Sequence, residues 1–167
     1  DAYVNKLRAF QSIFFFFFFY AEAQSLINPS DVAAIMCNWD DLLIYNTELL
    51  RQLRSRCTNF RAAQNVGDIF LGMRHFSAIY STFLTGYDGS LNVVMWHVKN
   101  NPPMAKIIKQ CERQLGNTIE SYLILPVQRI PRYVLLLRAV MSETEKTHPD
   151  FDLCLQAAQK MEQVGTM

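Results

Sequence analysis

A chain of 167 residues is long enough for one domain around a single core and too short for two. Half of it is apolar, 19% is charged, and 6 glycines and 6 prolines leave no mark of a disordered or fibrous chain. The net charge of +1 gives no basic excess to neutralise phosphates, which removes the generic case for nucleic-acid binding and leaves partners to be recognised by shape and a local patch.

Apolar residues recur at three- and four-residue spacing along nearly the whole chain, and alternating strand patterns are absent. The sequence therefore predicts an all-α fold, an elongated bundle of about six helices. Near the N-terminus lies the low-complexity run Ile13-Phe14-Phe15-Phe16-Phe17-Phe18-Phe19-Tyr20. As a helix it would span roughly 12 Å, far short of the ~30 Å hydrocarbon layer, so it cannot cross a membrane. A helix end buried on several sides is the favoured reading. A membrane-surface anchor is the other, disfavoured because basic residues do not flank the run.

After Asn28-Pro29, Ser30 fits an N-cap and Asp31 suits the positive end of a helix dipole. Val32, Ile35, Met36, Trp39, Leu42, Leu43, Leu49, Leu50 and Leu53 then predict one long amphipathic helix ending near Arg56. A third helix is expected from about Val66 to Leu84, burying Ile69, Phe70, Met73, Phe76, Tyr80 and Phe83 and stopped by Gly86-Tyr87-Asp88-Gly89. A fourth starts at Ser90 or Leu91, is interrupted at Asn100-Asn101-Pro102-Pro103, resumes from Met104 to Leu115 and closes at Gly116-Asn117. Thr118 to Met141 comes next as a helix, Ser142 to Asp150 as a polar turn, and His148-Pro149-Asp150 begins a last helix through Met161.

The segment LPVQRIPRY, Leu125 to Tyr133, sets two arginines, two prolines and a glutamine inside an apolar run. Charged groups there cost free energy unless they are paired or directed at something. At about 100° per residue, Ile130, Tyr133, Leu136, Leu137 and Val140 gather on a core face. The opposite arc holds Ile124, Val127, Gln128, Pro131, Arg132 and Leu135, with a cation and an amide but none of the Lys and Glu that coat a solvent face. A protein partner explains such an arc. Packing on another helix, with both arginines reaching solvent, explains it equally. Pro126 fits the first turn of a helix, and Pro131 leaves the carbonyl of Val127 without its donor. Arg129, between the arcs, reads as structural, in a salt bridge within the bundle.

The four cysteines, Cys37, Cys57, Cys111 and Cys154, are far apart and lack metal-ligand spacing, as expected of free thiols in a reduced intracellular protein. No leader sequence opens the chain, so secretion is not expected. His75, His97 and His148 are isolated in sequence and read as structural or surface residues. The sequence thus predicts no metal, no cofactor and no catalytic constellation.

Ile119 to Tyr133, IESYLILPVQRIPRY, continued by Val134-Leu135-Leu136-Leu137-Arg138, resembles the third conserved region of Dbl-homology (DH) domains, the exchange modules for Rho-family GTPases. Tyr3-Val4 with Leu7 resembles the start of the first conserved region, and the Trp39 to Leu53 helix resembles the second. The Thr147-His148-Pro149-Asp150 turn and the helix carrying Leu155, Ala158 and Met161 are similar to the part of DH domains C-terminal to the third region. The resemblance covers essentially residues 1–167 as a single DH-like domain. It implies a GTPase-binding surface of Ile124, Val127, Gln128, Arg132 and Leu135, in which Gln128 and Arg132 contact the switch regions while Ile124 and Val127 supply apolar contacts that help select among Rho, Rac and Cdc42 types. It also implies exchange by distortion of the switches, without covalent chemistry, in a cytoplasmic protein that reaches the membrane only through its GTPase or a further domain, commonly a pleckstrin-homology domain. By family spacing, a glutamate that contacts switch I falls just before Asp1 and an asparagine that reaches the GTPase falls just past Met167, so both ends look trimmed. The phenylalanine run also departs from the family, which mixes polar residues into that helix. Three readings result: a Rho-type exchange factor, a DH-like scaffold that binds partners without exchange, and a helical enzyme with an unrecognised site.

Overall fold

A computed structural model of the chain describes residues 2–58 and 64–165. Among the described residues there are eight helices and no strand: α1 (Ala2–Ala23), α2 (Pro29–Met36), α3 (Trp39–Thr58), α4 (Gly67–Gly72), α5 (Phe76–Asn100), α6 (Pro102–Leu115), α7 (Ile119–Ser142) and α8 (Pro149–Gly165). The all-α expectation holds, with eight helices in place of six. No described helix is long and apolar enough to cross a membrane. The chain divides into two compact units, the first formed by residues 1–43 and 82–125, the second by 44–81 and 126–167.

In the first unit α1 buries Val4, Leu7, Phe10, Phe14, Phe18 and Ala21, a single stripe at helical spacing. The Phe10 ring lies 4.5 Å from Trp39 and 5.3 Å from Tyr122, Phe14 stacks on Phe18 at 3.7 Å, and the Trp39 indole N–H donates to the Leu7 carbonyl at 3.1 Å. The aromatic run is not buried on several sides. Phe15, Phe16, Phe19 and Tyr20 are exposed, Phe16 and Phe19 by 70% and 73%, because a helix turns only one stripe toward its neighbours and identical residues must divide between stripe and surface.

The expected long second helix is two helices. It breaks at Cys37, whose backbone adopts a left-handed φ of 48°. Asn28, not Ser30, is the N-cap of α2: its Oδ1 accepts from the Asp31 N–H at 2.7 Å, while the Ser30 hydroxyl donates to the same oxygen at 2.6 Å. Gly86-Tyr87-Asp88-Gly89 does not stop a helix either, since α5 runs through it to Asn100. Its small residues allow close approach. The Ser90 hydroxyl donates to the Ala34 carbonyl at 2.7 Å, and a Cβ built on Gly86 would stand 2.7 Å from Cys37 Sγ. The thiol can swing aside, so Gly86→Ala is expected to cost at most about 1 kcal/mol, and to be neutral or stabilising in a Cys37→Ala background, where the helix propensity of alanine is gained without a clash. Chemical denaturation of the single and double variants measures this.

The expected break after Val66 to Leu84 comes earlier, at residues 73–75, between α4 and α5. Asn101 caps α6 by accepting from the Met104 N–H at 3.2 Å, with Pro102 and Pro103 in the first turn where a missing donor is harmless, and Gly116 closes it at φ 73°. His97 is buried rather than a surface residue, its Nε2 lying 2.9 Å from an Asp31 carboxylate oxygen.

The second unit is fastened at the start of α4. The buried carboxylate of Asp150, at the head of α8, accepts from the Val66 N–H at 2.9 Å and the Gly67 N–H at 2.7 Å, supplying from a distant part of the chain the cap that Val66 cannot provide. Arg56 on α3 pairs with Asp68 at 3.0 Å.

Burial pushes the Cys111 thiol in the first unit and the Cys154 thiol in the second up to about 12 from the ordinary 9. The folded chain holds these protons more tightly than the unfolded chain does, so their contribution to stability is complete below pH 9 and is lost as pH rises from 9 to 12. Denaturant midpoints taken across that range should fall, and Cys111→Ala should flatten the fall.

Candidate functional site

Helix α7 is capped by Thr118, whose Oγ1 accepts from the Ser121 N–H at 3.1 Å, and Glu112 accepts from the Ile119 N–H at 3.1 Å. Pro126 and Pro131 both lie inside the helix, so Pro126 is not in its first turn. Neither ring carries an N–H, and the carbonyls of Tyr122 and Val127 therefore lack their usual donors.

Below α7, within the second unit, Ile130, Tyr133, Val134 and Leu137 are buried. Leu136, expected on this stripe, is 55% exposed, and Val140 is half-buried. The reason is angular: Leu136 lies about 110° from the middle of the stripe and Val134 takes its place. Asn46 holds the underside in register. Buried to 1% exposure, its Oδ1 accepts from the Tyr133 hydroxyl at 2.7 Å and from the Tyr80 hydroxyl at 3.1 Å. The Tyr133 ring also meets Phe70 and Phe76 edge-on, at 5.6 and 6.4 Å. Burial raises the Tyr133 hydroxyl above its ordinary value, against the opposing pull of the nearby Arg129 cation. The Arg129 guanidinium sits 4.4 Å from the centre of that ring, a cation–π contact.

Above this anchor Gln128, Pro131, Arg132 and Leu135 are exposed, Leu135 by 66%, and Val127 is half-buried at the edge. Neither Gln128 nor Arg132 makes a hydrogen bond or ion pair with another described residue. Ile124, which belongs to the first unit, is half-buried. The second-unit arc thus offers one amide, one guanidinium and an apolar surface to which Leu136 adds. Such a set can engage a surface by hydrogen bonds and apolar contact. Among the described residues no three His, Cys, Asp or Glu side chains gather to hold a metal ion. Sequence reading overlooked Asn46 and the exposure of Leu136. An amide interrupting the apolar spacing of Leu42, Tyr45 and Leu49 was the available signal for the first.

A family model described as RhoGEF domain matches residues 1–167. The chain is 29% identical over 144 residues to "Guanine exchange factor for Rac 30" of Dictyostelium discoideum, covering 86% of this chain and 9% of that protein. It is 29% identical over 172 residues to "Rho guanine nucleotide exchange factor 17" of Homo sapiens, covering 99% of this chain and 8% of that protein. It therefore spans less than a tenth of these relatives. Among solved structures, the DH domain of FARP2 superposes with a TM-score of 0.83 at 20% identity, over 99% of this chain and 80% of that one. The linker-DH/PH domains of p115-RhoGEF do so with a TM-score of 0.84 at 20% identity, over 99% and 51%. At these identities the structural likeness bears on the fold.

Proposed function

We propose, from the premise that this chain belongs to the RhoGEF domain family, that it acts as one DH-like guanine-nucleotide exchange module and grips a Rho-family GTPase of Rho, Rac or Cdc42 type through the outer arc of α7. Gln128 and Arg132 reach the GTPase switch regions, and Val127, Leu135 and Ile124 give the apolar contacts that discriminate among GTPases. Binding reshapes switch I and switch II, disfavours Mg²⁺ and the nucleotide phosphates, and holds the empty GTPase until GTP enters. The driving force is a difference in affinity between empty and loaded states, so the work is done without covalent chemistry. The protein works in the cytoplasm and meets the membrane through its GTPase or a further domain.

The observation that carries this reading is the joint exposure of Gln128, Arg132 and Leu135 above the Tyr133–Asn46 anchor. A rigid underside lets the arc meet its partner already ordered, which reduces the entropy lost on binding. Relatives named for Rac and for Rho agree with the partner class without choosing within it.

Release of a fluorescent GDP analogue from a panel of Rho-family GTPases tests the proposal. The chain should accelerate release from at least one of them, and Leu135→Asp should abolish the acceleration at an unchanged melting temperature. Binding of the empty GTPase without faster release would favour the scaffold reading, and neither binding nor release would end both.

A further inference from the structure

The exchange reading leaves one surface of the first unit unused. Phe15, Phe16, Phe19 and Tyr20 stand exposed on α1 by 43%, 70%, 73% and 53%. At roughly 200 Å² for a whole aromatic side chain they leave about 500 Å² of contiguous ring surface in water, within the size range of functional patches. Helix formation does not require this, since the core stripe of α1 is already filled by Phe10, Phe14 and Phe18.

Charge says what covers the face. Arg8 and Glu22 lie seven residues before and seven after Phe15. Seven residues are two turns less about 20°, so Arg8, Phe15 and Glu22 form one nearly straight row, with each charge about 10 Å from the central ring. Neither Arg8 nor Glu22 makes an ion pair with another described residue. A row that reads plus, aromatic, minus is its own complement when reversed.

We propose that this face is a self-association surface on which two copies of the chain pair antiparallel at the level of Phe15, with Arg8 of each copy opposite Glu22 of the other along one flank and the other exposed rings, which lie about 40° to 140° to one side of that row, packed beside it. The two-fold geometry uses the same patch on both copies, as a closed dimer requires. The pair covers about 1,000 Å², at the low end of specific interfaces, so dissociation constants on the order of tens of micromolar are expected. A lipid surface fits less well. Interfacial helices set basic residues beside their apolar face, whereas here the row ends in a carboxylate that anionic headgroups would repel.

Sedimentation velocity of the chain from about 5 to 500 µM, a range that brackets such constants, should show a reversible monomer–dimer equilibrium. Phe16→Glu and Phe19→Glu, both at exposed positions, should remain folded and monomeric throughout. The decisive arm uses charge. Arg8→Glu and Glu22→Arg should each weaken self-association at least about tenfold by placing like charges opposite one another, and an equimolar mixture of the two should recover it as a heterodimer. A monomer at every concentration, dimers indifferent to Phe16→Glu, or a mixture no tighter than the single variants would overturn the proposal. So would co-sedimentation of the monomer with phosphatidylserine-containing vesicles through Phe16 and Phe19 in the absence of any dimer.

Discussion

Gly67→Ala should lower stability by about 3 kcal/mol, the upper end of what overpacking costs, and the melting temperature by roughly 10 °C for a chain of this length. A Cβ at Gly67 would stand 2.5 Å from both the amide nitrogen of Cys154 and the carbonyl carbon of Leu153, and 2.8 Å from Leu153 Cβ. Two of those atoms are α8 backbone, which has no rotamer to retreat into. Nor can α4 back away freely, because the Gly67 N–H is held at 2.7 Å by the Asp150 carboxylate and any retreat weakens that cap. Gly89→Ala is the control. Its Cβ would meet nothing within 4 Å, and alanine in a helix interior should be neutral or stabilising by about 0.5–1 kcal/mol. Thermal denaturation of the two variants side by side should separate them widely; equal melting temperatures would mean that the α4–α8 contact is looser than these distances require.

Arg132→Ala should slow GTPase exchange roughly 10- to 100-fold, the scale of losing a charge-assisted hydrogen bond made with the partner, while moving the melting temperature by no more than about 1 °C. The side chain is exposed and has no hydrogen bond or ion pair among the described residues, so its removal strands nothing inside the protein. Arg132→Lys should recover only part of the rate, because an ammonium lacks the planar fork that meets a carboxylate or carbonyl pair. Stopped-flow release of a fluorescent GDP analogue measures the first effect and differential scanning calorimetry the second. A large loss of stability would contradict the outward placement of Arg132, and an unchanged rate would remove it from the binding arc.

Where a signal was local, the sequence carried it. Asn101-Pro102-Pro103 and Gly116 fixed the two ends of α6, since capping and left-handed closure depend on residues within one turn. The exposure of Gln128, Pro131, Arg132 and Leu135 came from spacing of 100° per residue. Errors arose where distant packing overrode local preference. Gly86 and Gly89 resemble a stop, yet α5 continues, and nothing in its own segment announces that Cys37 will press against Gly86. The break at Cys37 carries neither proline nor glycine to mark it. Asn46 stands out in the sequence as an amide among apolar residues, but its role lies in Tyr80 and Tyr133, 34 and 87 residues further along the chain. The split of the phenylalanine run between core and surface could not be read from identical letters.

The link between Asp150 and the start of α4 spans more than 80 residues, and it sets an order of events during synthesis. Of the second unit, residues 44–81 leave the ribosome first and the remainder emerges only after residues 82–125 have been made, a wait of about 2–9 s at translation rates of roughly 5–20 residues per second. Throughout that interval Ile69, Phe70, Phe76 and Tyr80 have no completed core to enter. A polypeptide ended before Asp150 would lack the carboxylate that caps α4 and would leave this core unfinished.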